Sequence, residues 1–404
     1  MSITAELFTP AHHADPYPLY RKLRDEGPLL DYRLGDVPLT LVTRYAECAE
    51  VLTGNDWGHG YSAGISPFRD GAAAIPGSFV RMDPPEHGKY RALVSKAFTP
   101  RAVADLVPVA TGVVSDLVDK AVAAGRLDVL NDLAVPLAVA IIPGRLLGGD
   151  VADGPLFRAW QLAIAHGSDP DALLSPDVIA ARGTAAMECL GHFAKLIAAK
   201  RVSPTPDLLS DLVAVRDRDG VIEEPELYGL SLLLLVAGME TSINLIGNGM
   251  LALLRNPAQL ALLREQPELI APALDEMLRY DAPTQFTIRV ALQDTVVGDR
   301  EFKRGSGVIV MTASASRDER VYDNTDAFDV TRYAGRNPAR KHLGFSLGLH
   351  YCVGAPVARI EAEAAFRTLL ERTSDITLDV PDVEYRPSLI HRGIRELPVR
   401  LHPA

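Results

Sequence analysis

The stretch that decides the fold is HLGFSLGLHYCVGAPVARIEAEAAF, residues 342–366. Three glycines surround Cys352, and the run that follows is rich in Ala, Arg and Glu, which favour a helix. Because glycine tolerates tight backbone turns, the cysteine is predicted in a loop at the start of that helix. Taken alone, a cysteine at position 352 favours the ordinary alternative of a small buried apolar side chain.

The composition is that of an ordinary globular protein. The chain has 404 residues, of which 48% are hydrophobic and 23% charged. No Ser/Gly-rich or Pro-rich linker and no charge run divides it, so a single domain over residues 1–404 is predicted. The formal net charge of -11 argues against a nucleic-acid partner, which attracts a basic surface.

The sequence also bears on location. Residues 1–20 have neither the basic segment nor the apolar core of a signal peptide. The most apolar run, residues 230–239, is about half the ~20 residues that a membrane span needs. The three cysteines, Cys48, Cys189 and Cys352, form no CxxC pair, which is typical of a reducing compartment. We therefore expect a cytoplasmic protein with no membrane partner and no structural zinc cluster.

Helical periodicity dominates the chain. An alternating segment with a Gly-Asp turn, residues 28–43, predicts a hairpin, and a helix is expected from about Tyr45. Residues 83–200 read as successive amphipathic helices, while residues 292–314 and 388–401 alternate as strands do. The predicted breaks in the helical region fall at Pro100, Pro136, Pro143 and Gly148-Gly149. The expected class is mainly α with small β-sheets (α+β).

A long apolar helix is predicted from Pro225 to Arg255, with a length of roughly 45 Å. Its middle carries AGMETS, residues 237–242, which places Glu240 and Thr241 in apolar surroundings. A buried carboxylate is costly unless it is paired or used. The ordinary alternative is a threonine bonded to the preceding turn beside a glutamate that reaches a crevice.

A second segment, RMDPPEHGKYRALVSKAF, residues 81–98, predicts a helix start. Asp83 is a suitable N-cap, and Glu86 stands at the spacing of a capping box. On that helix His87 and Arg91 are four residues apart and share a face, which suits an anion. The alternative is a solvated helix face.

A third segment, LDEMLRY, residues 274–280, contains Glu276 and Arg279 three residues apart. Such pairs are common on helix surfaces and contribute little there.

Taken together, these segments resemble the cytochrome P450 superfamily in its soluble bacterial form. The stretch around Cys352 is similar to the haem-ligand signature Phe-Gly-x-Gly-x-His-x-Cys-x-Gly, and AGMETS is similar to the oxygen-activation motif. EMLR resembles the Glu-x-x-Arg motif, and FDVTR, residues 328–332, supplies its second arginine. Ser346 stands where the family has glycine, which puts the local turn geometry in question. The signature residues present are Phe345, Gly348, His350, Cys352 and Gly354.

The resemblance implies a P450-like fold, with the long helix over a haem b whose iron is bound by Cys352. A thiolate ligand pushes electron density onto the iron and favours O–O cleavage. The implied enzyme is a monooxygenase that uses O₂, two electrons and two protons to hydroxylate or epoxidise an apolar or amphiphilic small molecule in bacterial secondary metabolism or catabolism. The further haem contacts that it implies are His87, Arg91, Ala237, Arg289 and His350.

Two groups of residues receive roles from the resemblance. Glu240 and Thr241 would deliver protons for O–O cleavage, since a positioned proton donor is typically worth ~10² to 10⁴ in rate. Glu276, Arg279 and Arg332 would form a buried network that serves folding.

The resemblance also implies partners. The sequence shows no flavin-binding or iron–sulfur segment, so a separate ferredoxin and its reductase are expected to supply electrons to a monomeric enzyme. Lys89, Arg101 and Arg359 are candidates for docking that ferredoxin. Substrate would meet the segments 57–79, 155–200 and 283–288. The individual substrate contacts expected are Leu234, Phe286, Thr287, Ile288 and Ile390.

Other functions remain open at this point. The same cofactor serves oxidative coupling and peroxide-driven enzymes, although an intact Glu240-Thr241 pair counts against pure peroxide use. A haem-binding carrier or sensor without turnover is a further alternative. A zinc hydrolase built on His350 and Cys352 lacks a recognisable third ligand.

Overall fold

The computed structural model describes residues 7, 9, 12–68, 71 and 75–404. Two predictions lie partly outside these residues. They are the N-terminal segment without signal-peptide features, at residues 1–6, 8, 10 and 11, and the substrate segment 57–79, at residues 69, 70 and 72–74.

Helices form most of the protein, as predicted. The fourteen α-helices of the described residues are α1 (Tyr17–Glu26), α2 (Tyr45–Thr53), α3 (Glu86–Ser95), α4 (Pro100–Ala104), α5 (Val107–Ala124), α6 (Val135–Val139), α7 (Gly154–His166), α8 (Pro176–Val202), α9 (Leu208–Asp219), α10 (Glu224–Arg255), α11 (Pro257–Glu265), α12 (Ile270–Tyr280), α13 (Thr312–Ala315) and α14 (Ala355–Arg372). The predicted long helix is α10, and a capping box between Glu223 and Glu226 fixes its first turn.

The strands form three small sheets. The ten strands of the described residues are β1 (Leu29–Leu34), β2 (Val37–Val42), β3 (Trp57–Gly58), β4 (Arg126–Asp128), β5 (Thr287–Ala291), β6 (Thr295–Val297), β7 (Arg300–Phe302), β8 (Gly307–Val310), β9 (Thr373–Leu378) and β10 (Pro398–Pro403). The sheet orders are β1-β2-β8-β5-β3, β4-β10-β9 and β6-β7. The predicted hairpin is confirmed, with Leu29 opposite Val42 in the antiparallel β1–β2 pair.

The expected strand over residues 388–401 is right only from Pro398 onward. Before that point the chain makes two isolated bridges, Thr284 with His391 and Tyr385 with Ile394. The irregular path brings residues 390 and 391 to the central cavity described below.

Two predicted helix breaks are wrong. Pro136 and Pro143 lie inside a continuous helical segment, in which the π-helical residues Val129–Ala134 and Ala140–Leu146 flank α6. Proline interrupts the regular i to i−4 ladder, and the wider π turns accommodate such a residue without ending the helix.

The main hydrophobic core surrounds α10, which packs against α6, α7, α8, α12 and α14. By length and composition, residues 129–146 and 224–255 are apolar enough to span a membrane. In the most apolar 18-residue stretch of each segment, however, 61% and 78% of the residues are buried inside the protein. Their apolar character is therefore accounted for by core packing.

The Glu276 network is confirmed as a buried structural cluster. The Arg279 Nε atom lies 2.7 Å from Glu276 Oε2, and Arg332 Nε lies 3.0 Å from the same oxygen. Arg279 also donates to the carbonyls of Thr325 and Ala327, at 2.8 and 3.0 Å. The cluster thereby attaches the loop after α13 to α12.

Candidate active site

A cavity of about 410 Å³ lies between the middle of α10 and the cysteine loop, residues 343–354, which leads into α14. Most residues predicted to have a function line it, while Glu240, His87 and Gly348 lie outside the lining. The predicted residues in the lining are Arg91, Leu234, Ala237, Thr241, Phe286, Thr287, Ile288, Arg289, Phe345, His350, Cys352, Gly354 and Ile390.

The cysteine loop wraps backbone N–H groups around the sulfur of Cys352. The Cys352 N–H donates to the Phe345 carbonyl at 2.9 Å and closes the loop. Burial raises the pKa of the Cys352 thiol, whereas the N–H groups of Gly354 and Ala355 and the charge of Arg91 oppose that rise. The same groups would stabilise a thiolate, so the site is suited to a metal-bound sulfur.

Ser346, which put the local turn geometry in question, adopts a conformation that favours glycine. Ser346 has a φ of 61°, in the left-handed region where the family's glycine is comfortable. Gly348 has a φ of 65°, and a Cβ there would collide with the carbonyl of Leu52. Serine can adopt this conformation at some cost, whereas position 348 admits glycine alone.

Basic side chains gather at one edge of the cavity, where His59 and His350 line it and His87 packs against His350. The ring centroids of His87 and His59 lie 4.4 and 4.9 Å from that of His350. Both ring nitrogens of His59 and His87, and Nε2 of His350, are buried without a hydrogen-bond partner among the described residues. Burial and the nearby Arg289 lower the pKa of His350 to about 2, so this ring is neutral when no anion is present.

Arginines complete this basic edge. Arg289, only 3% exposed, has a pKa lowered to about 10 by burial and by Arg81. Arg91 donates to the Tyr351 carbonyl at 2.7 Å and so joins α3 to the cysteine loop. The buried histidine nitrogens without a partner, next to these two arginines, call for an anion, and the two propionate carboxylates of a haem have the required charge.

The helix start at α3 differs from the prediction. Asp83 is not an N-cap, because its carboxylate accepts the backbone N–H groups of His59 and Gly60 at 2.7 Å each. Pro85 occupies the cap position of α3 and makes no side-chain cap bond. Asp83 thereby holds His59 at the basic edge. Sequence reasoning missed His59, because no spacing relates it to His87 or His350.

Thr241 lies on the α10 side of the cavity. Its hydroxyl donates to the Ala237 carbonyl at 2.9 Å, the back-bonding that the ordinary alternative predicted. The residue still lines the cavity, together with Ala237 and Gly238. Thr241 therefore places a hydroxyl opposite the wall that carries Cys352.

Glu240 faces away from the cavity. Its carboxylate accepts from Gln161 and, at 2.7 Å, from Asn244, and it lies 3.3 Å from Arg386 Nη1. Burial by itself raises the pKa of Glu240, but Arg386 and further cationic neighbours hold it below the ordinary value. The predicted acid is thus an ionised, paired group behind the cavity wall.

A second buried acid went unnoticed in the sequence. Glu361, on α14, is fully buried, and neither carboxylate oxygen has a geometrically satisfactory hydrogen-bond partner among the described residues. Burial raises the pKa of Glu361 to about 8, and the Ser242 hydroxyl opposes this only in part. The group is therefore mainly protonated at neutral pH.

Comparison with known proteins agrees with this geometry. The family model described as Cytochrome P450 matches residues 187–377. The chain is 38% identical over 395 residues to cytochrome P450 monooxygenase PikC of Streptomyces venezuelae, with 96% of this chain and 91% of the relative covered. It is 34% identical to 6-deoxyerythronolide B hydroxylase of Saccharopolyspora erythraea, with 99% of this chain and 100% of the relative covered.

Solved structures match over the whole length as well. The structure of the P450 enzyme CxnD for C–S bond formation in chuangxinmycin biosynthesis has a TM-score of 0.86 at 33% identity, covering 99% of this chain and 98% of the other. The complex of P450BioI with an acyl carrier protein carrying hexadec-9Z-enoic acid gives 0.87 at 31% identity, covering 97% and 100%. Relatives of this similarity, a cysteine loop beside the cavity and a basic edge that fits a haem lead to one conclusion. The chain is a haem-thiolate monooxygenase of the cytochrome P450 superfamily.

Proposed function

We propose that the protein hydroxylates or epoxidises an apolar or amphiphilic small molecule of bacterial secondary metabolism or catabolism. The observation that carries the proposal is the cavity between Cys352 and Thr241, whose remaining wall is mostly apolar. Leu234, Phe286 and Ile390 supply apolar contacts, and Thr287 adds a hydroxyl. A cavity of this kind favours a largely hydrocarbon substrate that carries a few polar groups.

The cofactor in this proposal is haem b. Cys352 would bind its iron, and Arg91, Arg289, His87 and His350 would bind its propionates, which would satisfy the orphaned ring nitrogens. The absence of a CxxC pair in the sequence supports non-covalent attachment. When bound, the haem supplies the iron at which O₂ is reduced.

The proton-transfer role of Thr241 and Glu240 is also part of the proposal. The Thr241 hydroxyl holds a proton at the cavity wall while it is hydrogen-bonded to Ala237. Glu240 occupies the preceding position of the same helix, lies behind that wall, and is ionised. Because an ionised carboxylate holds no proton to donate, Glu240 would act by relaying protons that arrive from outside the cavity. To do so it would have to loosen its contact with Arg386.

Members of this superfamily receive electrons from redox partners, and we propose a ferredoxin with its reductase for this monomeric, cytoplasmic enzyme. Arg101 is exposed, and Lys89 is 38% exposed at its side chain and makes only a loose contact with Glu226, at 3.8 Å, so both remain docking candidates. Arg359 does not, because it is paired with Asp275 at 2.6 Å. Charge reversal at Lys89 or Arg101 should slow reduction by ferredoxin and leave substrate affinity unchanged, and unchanged reduction would contradict the docking proposal.

Oxidative coupling is the second candidate function. Its support is the likeness to CxnD, the P450 enzyme for C–S bond formation in chuangxinmycin biosynthesis. Both functions need the same haem site, and they differ in whether an oxygen atom enters the product.

One experiment separates these functions. The purified enzyme is supplied with ferredoxin, reductase and ¹⁸O₂, and products from a panel of apolar and amphiphilic compounds are analysed by mass spectrometry. Incorporation of one labelled oxygen atom supports the monooxygenase proposal. Coupled product without label supports the alternative, and a haem protein that reduces O₂ but converts no compound in the panel contradicts the proposed substrate class.

A further inference from the structure

A cluster of three side chains lies under the cysteine loop, which we call the loop anchor: Asp275, His342 and Arg359. The His342 Nε2 atom lies 2.9 Å from Asp275 Oδ1. Arg359 donates to both oxygens of the same carboxylate, at 3.0 and 2.6 Å. Since His342 precedes the cysteine loop and Arg359 belongs to α14 behind it, one carboxylate of α12 connects the two ends of the loop.

The anchor determines which nitrogen of His342 carries the proton. The Gly344 N–H donates to His342 Nδ1 at 3.0 Å, so this nitrogen is unprotonated. Burial lowers the pKa of the fully buried His342, although Asp275 opposes that effect. The neutral ring therefore carries its hydrogen on Nε2 and donates it to Asp275.

Contacts lead from the anchor to Cys352. The Phe345 ring lies close to both His342 and Arg359, with its centroid 5.8 Å from that of His342 and 5.3 Å from the Arg359 guanidinium carbon. The Phe345 carbonyl accepts the N–H of Cys352 at 2.9 Å. At Gly344, a Cβ would lie 3.1 Å from both His342 Nδ1 and the Leu278 carbonyl, so the turn is closely packed against α12.

We propose that Asp275 and His342 are positioning residues for Cys352: they hold the start of the cysteine loop in the one conformation that points the sulfur into the cavity. The inference rests on Cys352 being the thiolate ligand of the proposed function. Groups that orient a metal ligand through hydrogen bonds typically affect metal affinity or activity by about 10- to 100-fold. Arg359 thereby receives a role inside the protein in place of the surface role expected from the sequence.

Three substitutions of His342 separate its two bonds. His342→Asn retains an acceptor for the Gly344 N–H and loses the bond to Asp275. His342→Gln retains a donor to Asp275 and loses the acceptor for Gly344. His342→Phe removes both bonds and keeps a ring. The control is Tyr17→Phe, which removes another buried hydrogen bond to a carboxylate, that of Tyr17 to Asp281 at 2.6 Å, away from the cysteine loop.

The measurement is the absorption spectrum of each reduced, haem-loaded protein with carbon monoxide, together with its thermal unfolding and haem content. We expect the ratio of the far-red-shifted Soret band of thiolate ligation to the ordinary Soret band to fall about tenfold or more in His342→Phe. His342→Asn and His342→Gln should fall less, and Tyr17→Phe should keep the wild-type ratio even if its unfolding temperature drops.

A wild-type ratio in His342→Phe would overturn the inference. If that variant does not fold, wild-type ratios in both His342→Asn and His342→Gln would overturn it equally. A fall of the same size in Tyr17→Phe would do so too, because it would reflect general destabilisation. Absence of the far-red-shifted band in the wild-type protein would instead refute thiolate ligation, which the proposed function requires.

Discussion

Two walls of the cavity, the cysteine loop and α10, differ in how far along the chain the hydrogen-bond partners of their functional residues lie. In the cysteine loop, Cys352 bonds to Phe345 and is approached by the N–H groups of Gly354 and Ala355, all within ten residues of sequence. On α10, Glu240 bonds to Gln161 and Arg386, which lie 79 and 146 residues away. Local spacing therefore predicts the geometry of the loop, while long-range contacts decide where the acid of α10 points.

The largest effect is expected from the loop. Cys352→Ala should abolish the far-red-shifted Soret band of the reduced carbon monoxide complex, because no other side chain can supply the thiolate. Cys189→Ala is the matched control, since Cys189 is a fully buried cysteine of the core and should leave the band in place. A far-red-shifted band that remains in Cys352→Ala would contradict the assignment of Cys352 as the iron ligand.

The next effect tests the wall formed by α10. Thr241→Ala should lower the yield of oxygenated product per electron pair and release peroxide, with a loss in product formation of about 10² because a positioned proton donor is removed. Haem content should not change. Ser231→Ala is the control, because Ser231 makes the same kind of back-bond, to the Leu227 carbonyl at 2.9 Å, at a fully buried position on the same helix. Equal product yields in the two variants would contradict the role of Thr241.

A smaller effect, on stability, tests whether Glu240 is held by its distant partners. Glu240→Gln should lower the free energy of unfolding by about 1–3 kcal/mol at neutral pH, because buried charge-assisted hydrogen bonds are lost. The pKa of Glu240 is lowered in the folded state, so its stabilising contribution is present above the ordinary value of 4.5 and is lost as pH falls through the folded value. Denaturant unfolding from acid to neutral pH measures both.

The double variant Glu240→Gln with Arg386→Gln sharpens this test. If the two charges are coupled, the combined loss should be smaller than the sum of the single losses. Additive losses would show that the ion pair does not hold the carboxylate in place.

The last prediction concerns the pH dependence of stability that arises from Glu361, beside Ser242. Its folded-state pKa of about 8 lies above the ordinary 4.5, so the folded protein binds one proton more than the unfolded chain between these values. Stability should therefore fall as pH rises through this window, by at most about 1.4 kcal/mol per pH unit from this group. Glu361→Gln should remove that component, and Glu363→Gln, an only partly buried neighbour on α14, should leave it unchanged. An identical pH slope in the wild type and Glu361→Gln would contradict the raised pKa.

Much of the molecule follows from the sequence because its determinants are local. The spacing of Phe345, Gly348, His350, Cys352 and Gly354 predicts a loop before a helix, since positive φ angles and close backbone contacts admit glycine alone at position 348. The apolar helix α10 and the β1–β2 turn can likewise be predicted from short stretches of sequence.

Only the tertiary structure decided which polar groups meet. Asp83, predicted as a helix cap, accepts from the backbone of His59 instead, and Glu240 bonds to Gln161 away from the cavity. Arg359, expected to dock a partner at the surface, donates to Asp275. In each case a buried or half-buried polar group has its partner far along the chain, because leaving such a group unsatisfied costs more than the bond contributes. Sequence spacing thus determined the fold and the cysteine loop. The rest of the site was determined by the need of buried polar and charged groups for hydrogen-bond partners, which only the tertiary structure brings together.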